Sequence, residues 1–181
     1  MSMRNVLSAL LVLTGLLTVE PSEAQAPARA AAPATRAQAE ANLAQLMRGI
    51  LLPNSNVIFF AQSQDPAKVP EPKDPSVATD PLENTYGKWQ AVENSALALA
   101  ESANLLTISG RKCSNGLPVP VGNADWPKFA QELRDAGMKA YKAAQAKDMD
   151  KIVDAADTMT TACANCHDKY REKPTLAERC K

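Results

Sequence analysis

The chain of 181 residues contains one histidine, His167. A catalytic or zinc site built on several imidazoles is therefore excluded. Aromatic residues make up only 4%, too few for the ring-filled core of a β-sandwich. Lysine plus arginine and aspartate plus glutamate each number 20, so the formal net charge is +0. No basic surface for nucleic acid or another polyanion is indicated. No period-two strand pattern and no internal repeat stand out. What is abundant is alanine and apolar residues generally, at 45%, which suits closely packed helices.

The four cysteines are the most informative residues present. Two of them form Cys163-Ala164-Asn165-Cys166-His167, a C-x-x-C-H sequence of the kind that attaches a c-type haem. Two thiols three residues apart can bond one edge of a porphyrin. An imidazole one residue further on can reach the iron, and on a helix all three side chains share a face. Zinc would need a fourth ligand, and no second C-x-x-C supplies it. A thioredoxin-type dithiol would follow a strand in a βαβ unit. The motif therefore predicts one covalent haem c held by Cys163 and Cys166, with His167 on the iron.

Residues 1–24 read as a secretory signal peptide. Arg4 opens it, Val6 to Val19 is mostly apolar, and Ser22-Glu23-Ala24 offers small residues for cleavage. The apolar run is shorter than the ~20 residues of a membrane span, so no membrane insertion is expected after cleavage. Residues 25–35, rich in Ala and Pro, read as a flexible leader. Residues 36–181 form the remaining domain. Export outside the cytoplasm, to the periplasm, agrees with thioether-bound haem and permits disulfides.

Four helices are predicted in that domain. Leu43, Leu46, Met47, Ile50 and Leu51 start the first, and Pro53 interrupts it, making a kinked helix or two short ones capped at Asn54 or Ser55. The segment 64–81 carries five prolines and reads as a linker, one that crosses passively or touches a partner. The second helix spans about 82–109 on the stripe Leu82, Tyr86, Trp89, Val92, Ala96, Leu99, Ala103 and Leu106. Asp125 and Pro127 start the third, with Trp126, Phe129, Leu133, Ala136, Ala140 and Ala144 inward. Asp148 caps the fourth, which carries the haem motif and ends before Pro174. The pattern predicts an all-α, antiparallel up-down-up-down four-helix bundle. In such a bundle the second and fourth helices end together, so Cys113 and Cys180 can meet in a disulfide. Two free thiols are the alternative.

With its haem motif on the last helix, the chain resembles the class II c-type cytochromes, the cytochrome c-prime group. The resemblance covers roughly residues 36–173 and is most specific at Cys163-Ala164-Asn165-Cys166-His167-Asp168-Lys169-Tyr170-Arg171. It implies haem c among the four helices, attached at Cys163 and Cys166 with His167 as fifth ligand. Arg171 matches a family arginine near the imidazole or a propionate. As a bare residue it is a cation favoured at a helix end. One branch of the family leaves the iron open to small gases. The other supplies a methionine from the first helix, and Met47 stands at the matching place. Core packing is the alternative role for Met47. Met138, Met149 and Met159 are less well placed.

The chain departs from the family pattern in Pro53, the long linker and the Cys113/Cys180 pair. The resemblance implies a non-enzymatic electron carrier, low-spin with Met47 and His167 as ligands, that meets a redox-partner protein. Arg48 and Lys169 are candidates for that contact or for the propionates, or simply solvated charges. Family members often pair as homodimers through the first two helices. The alternative function is a gas-binding or sensing protein with an open or displaceable sixth position. Peroxidase chemistry lacks a second histidine to act as distal base.

Overall fold

A computed structural model describes residues 38–181. The signal-peptide and leader assignments, 1–24 and 25–35, lie outside the described residues. Among the described residues the protein is all-helical, with four principal helical runs, no strand, and a single isolated bridge between Lys112 and Pro118.

The first run, α1, is continuous over residues 43–61 but is built of three pieces. Leu43–Leu46 is α-helical, Met47–Leu51 is a π turn, and Leu52–Ala61 is α-helical again. Asn42 and Gln45 form a reciprocal capping box at its start, each side chain accepting from the other's backbone N–H at 2.9 Å. Pro53 therefore does not split the helix. Its ring crowds the carbonyl four residues back and it offers no N–H. The chain answers by widening the preceding turn, so that the Leu52 N–H donates to the Met47 carbonyl, five residues back. Asn54 and Ser55 do not cap a new helix. Their side chains donate to the carbonyls of Ile50, at 2.7 Å, and Leu52, at 3.0 Å.

The segment after α1 holds two short 3-10 turns, Pro66–Lys68 and Pro75–Val77, each begun by an aspartate that accepts a backbone N–H. The second helix, α2, covers Lys88–Leu106, six residues shorter at its start than the apolar stripe indicates. Asp80 and Asn84 fold residues 80–87 into turns by accepting the Leu82 and Tyr86 N–H groups. Leu82 still reaches the core, at 0% exposure, whereas Tyr86 is 65% exposed. Gly87 is required at the junction, since a Cβ there would lie 2.3 Å from the Leu82 carbonyl oxygen.

The third helix, α3, is Trp126–Gln145, and the fourth, α4, is Met149–Tyr170. Asp148 caps α4 through the Lys151 N–H at 3.1 Å. Asp125 occupies the start of α3 without a side-chain cap. Its carboxylate accepts from the Tyr170 hydroxyl at 2.6 Å and pairs with Lys169 at 3.5 Å, so the third and fourth helices compete for it and the fourth prevails.

Small residues set the helix spacing. Gly137 of α3 faces Ala96 and Ala100 of α2 so closely that a Cβ would fall 2.8 Å from the Ala100 nitrogen. The core continues through Ala136, Ala140, Ala144, Ala155 and Ala156, all nearly or fully buried. At one end, the Trp126 indole donates to the Leu106 carbonyl at 2.9 Å, and the Leu43 N–H donates to the Lys112 carbonyl at 2.8 Å. Arg111, 5% exposed, ties that end together by donating to the carbonyls of Leu105 and Ala41. Burial lowers its pKa, but an arginine stays protonated in a protein, so the charged donor remains.

Candidate functional site

A cavity of about 760 Å³ opens between the helices, within the range of about 300–1,000 Å³ usual for ligand sites. Met47, Leu51 and Phe59 of α1 form one wall, and Cys163, Cys166 and His167 of α4 line it too. Trp126, Phe129 and Leu133 of α3, with Tyr170, complete a largely apolar lining. Tyr170 is fixed there by three groups. Trp126 meets its ring edge-on at 4.9 Å, Asp125 accepts from its hydroxyl, and the Asn123 amide donates to it at 3.1 Å.

The α4 ladder is unbroken through the C-x-x-C-H sequence. Its 163, 166 and 167 positions all line this one cavity. Cys163 and Cys166 are unbonded and half-buried. Burial raises both thiols, Cys166 to about 11, with the charge of its neighbour Cys163 adding to the effect. His167 is half-buried as well. Burial first, and then the positive charge of Arg171, lower its pKa and favour the neutral imidazole. A neutral ring with an available lone pair is the form that ligates a metal. Among the described residues no group of three or more His, Cys, Asp or Glu side chains is placed to hold one metal ion directly.

Met47 is half-buried on the π turn and lines the same cavity as His167. Met138, Met149 and Met159 do not line it; Met159 is wholly buried in the core. Arg48 and Arg171 stand at the cavity margin. The Arg171 guanidinium is engaged by Glu172 at 2.5 Å, which holds the Glu172 carboxyl below its ordinary range. Lys169 faces Asp125 instead.

Sequence reading did not single out Arg179. It lines the cavity, and its Nε is buried without a hydrogen-bond partner. The bond between Cys113 and Cys180, with Cα atoms 6.6 Å apart, holds the C-terminal segment against the bundle end. A signal existed in the sequence: any pairing of Cys180 must carry its neighbour Arg179 to the same place.

The donor set fits a haem c. Two reduced thiols, one imidazole and one thioether line a mostly apolar cavity of about 760 Å³, with Arg48, Arg171 and Arg179 also in its lining. Set against protein families, curated proteins and solved structures, the chain matches none. No helix of the described residues is long and apolar enough to cross a membrane.

Proposed function

We propose that this chain is an exported, periplasmic monohaem c-type cytochrome of the class II kind, closest to its low-spin branch, and that it carries single electrons between redox proteins. The observation that carries the reading is the shared cavity. Met47 from the first helix and Cys163, Cys166 and His167 from the last line one apolar space. In this reading the four runs form an antiparallel up-down-up-down bundle. The end-to-end contacts Trp126–Leu106 and Tyr170–Asp125 support that course.

When bound, haem c supplies a one-electron ferric/ferrous couple. The chain's own residues do the rest. Cys163 and Cys166 would hold the group through two thioethers, which would keep it from being lost outside the cell. His167 would hold the iron through its neutral imidazole, and Met47 would supply a thioether ligand. That Met/His pairing raises the potential and suits electron transfer. Leu51, Phe59 and Leu133 exclude water from the ring. The disulfide supports an oxidising compartment. With His167 assigned to the iron, this reading names no catalytic base, and the protein is read as a non-enzyme.

Absorption spectra of the ferric and ferrous protein, with and without CO, test this. The expected result is a low-spin iron with the weak sulfur-to-iron band at the red end of the visible spectrum, and slow or no CO binding. Met47→Ala turns it high-spin. A wild-type ferrous form that is high-spin and binds CO at once overturns the electron-transfer reading in favour of gas binding.

A further inference from the structure

Three arginines border the cavity, and their surroundings differ. Arg171 is paired with Glu172, and its side chain is 55% exposed. Arg48 is exposed on α1. Arg179 alone combines a place in the cavity lining with a buried guanidinium nitrogen that lacks an acceptor. The Arg179 charge also reaches Glu172, whose carboxyl pKa it helps to lower, but its buried Nε still lacks an acceptor; a buried donor left unpaired is costly, which points to an acceptor that the polypeptide does not supply.

The position is fixed several times over. Cys180 is bonded to Cys113. The Cys180 N–H donates to the Tyr170 carbonyl at 2.9 Å. The Asn115 amide donates to the carbonyls of Leu176 at 2.8 Å and Arg179 at 3.1 Å. Thr175 and Glu178 form a capping box on the 3-10 turn Leu176–Glu178 that leads into Arg179.

We propose that Arg179 binds a haem propionate through its guanidinium, and that the Cys113–Cys180 bond is the tether that holds it there. This rests on the haem reading above. An arginine suits a carboxylate because its planar fork can donate two parallel hydrogen bonds. Its positive charge beside the ring opposes the more positive ferric state, so it favours reduction.

The test uses exported, haem-replete protein. Arg179→Gln lowers the equilibrium constant for reduction at least threefold, about 28 mV at 59 mV per decade for one electron, and moves the propionate-bending band in the resonance Raman spectrum. Arg179→Lys keeps the charge and loses less than half of that shift. The Cys113→Ala/Cys180→Ala variant lowers the midpoint likewise, and Arg179→Gln added to it lowers it little further, because the two changes act on one contact. A wild-type midpoint and an unmoved Raman band in haem-replete Arg179→Gln overturn the propionate contact. Fully additive shifts overturn the tether. Protein that acquires no haem at all refutes the underlying cytochrome reading instead.

Discussion

Replacing Gly137 with Ala isolates the contact that sets the spacing of α2 and α3. In an exposed helix this exchange is favourable by roughly 1 kcal/mol, because glycine is the poorer helix former. At 137 the added Cβ would meet Ala100 N at 2.8 Å, Ala96 O at 2.9 Å and Ala100 Cα at 3.1 Å. Ordinary contact begins at 3.4 Å, and all three atoms are backbone, so no rotamer change relieves them. The two helices must separate along a seam whose members are nearly all small and buried. Overpacking of that kind costs about 1–3 kcal/mol, at the upper end here because backbone opposes backbone. After the propensity gain, the expected net loss is about 1–2 kcal/mol, or roughly 3–7 °C in Tm for a domain of this size. Gly49 supplies the control, since a Cβ there meets nothing within 4 Å, and Gly49→Ala should leave Tm unchanged or raise it. Thermal unfolding followed by circular dichroism measures both. If Gly137→Ala raises Tm as much as Gly49→Ala does, the close α2–α3 approach is wrong.

Further expectations follow from other contacts. Arg111→Met leaves the Leu105 and Ala41 carbonyls without their charged donor and should cost about 3 kcal/mol in urea unfolding; a loss under about 0.5 kcal/mol would place those carbonyls in water. Removing the Cys113–Cys180 bond, which joins residues 67 apart in sequence, should cost about 4 kcal/mol on loop-closure entropy, read as a lower denaturation midpoint of the double-alanine variant. Tyr170 is the main cause of the lowered Asp125 pKa. That stabilisation is present above the unfolded carboxylate value, about 3.9, and is lost as pH falls through the lower folded value. Wild type should therefore exceed Tyr170→Phe in stability by more at pH 6 than at pH 2, and an equal gap at both would refute the hydroxyl–carboxylate bond.

The sequence carries some of this structure openly and hides the rest for identifiable reasons. Helical spacing alone puts Cys163, Cys166 and His167 on one face, since three- and four-residue steps admit no other result in an unbroken helix. The caps at Asp148 and the stops before Pro174 are equally local. The start of α2 is not, because Leu82 extends the apolar stripe while Asp80, Asn84 and Gly87 turn the backbone. Periodicity registers the burial of Leu82 but not the turn that achieves it. Pro53 reads as a break because the ordinary helix cannot hold it, and a π turn is a remedy that no residue type announces. Asp125 reads as a cap, yet Tyr170 from another helix claims its carboxylate. Arg179 is invisible for the same reason as that pairing, as its place depends on a contact 67 residues away in the chain. Met47 is legible as a candidate, but its place in the lining of the same cavity as His167 needs the packed helices.

The most direct test of the central claim is the mass and colour of the exported protein after acid–acetone extraction, which removes haem that is not covalently bound. The account predicts a coloured protein heavier than its processed chain by one haem, and a colourless one of unmodified mass when Cys163 and Cys166 are both alanine. Wild-type protein that is exported and folded, yet colourless and of unmodified mass, would contradict it.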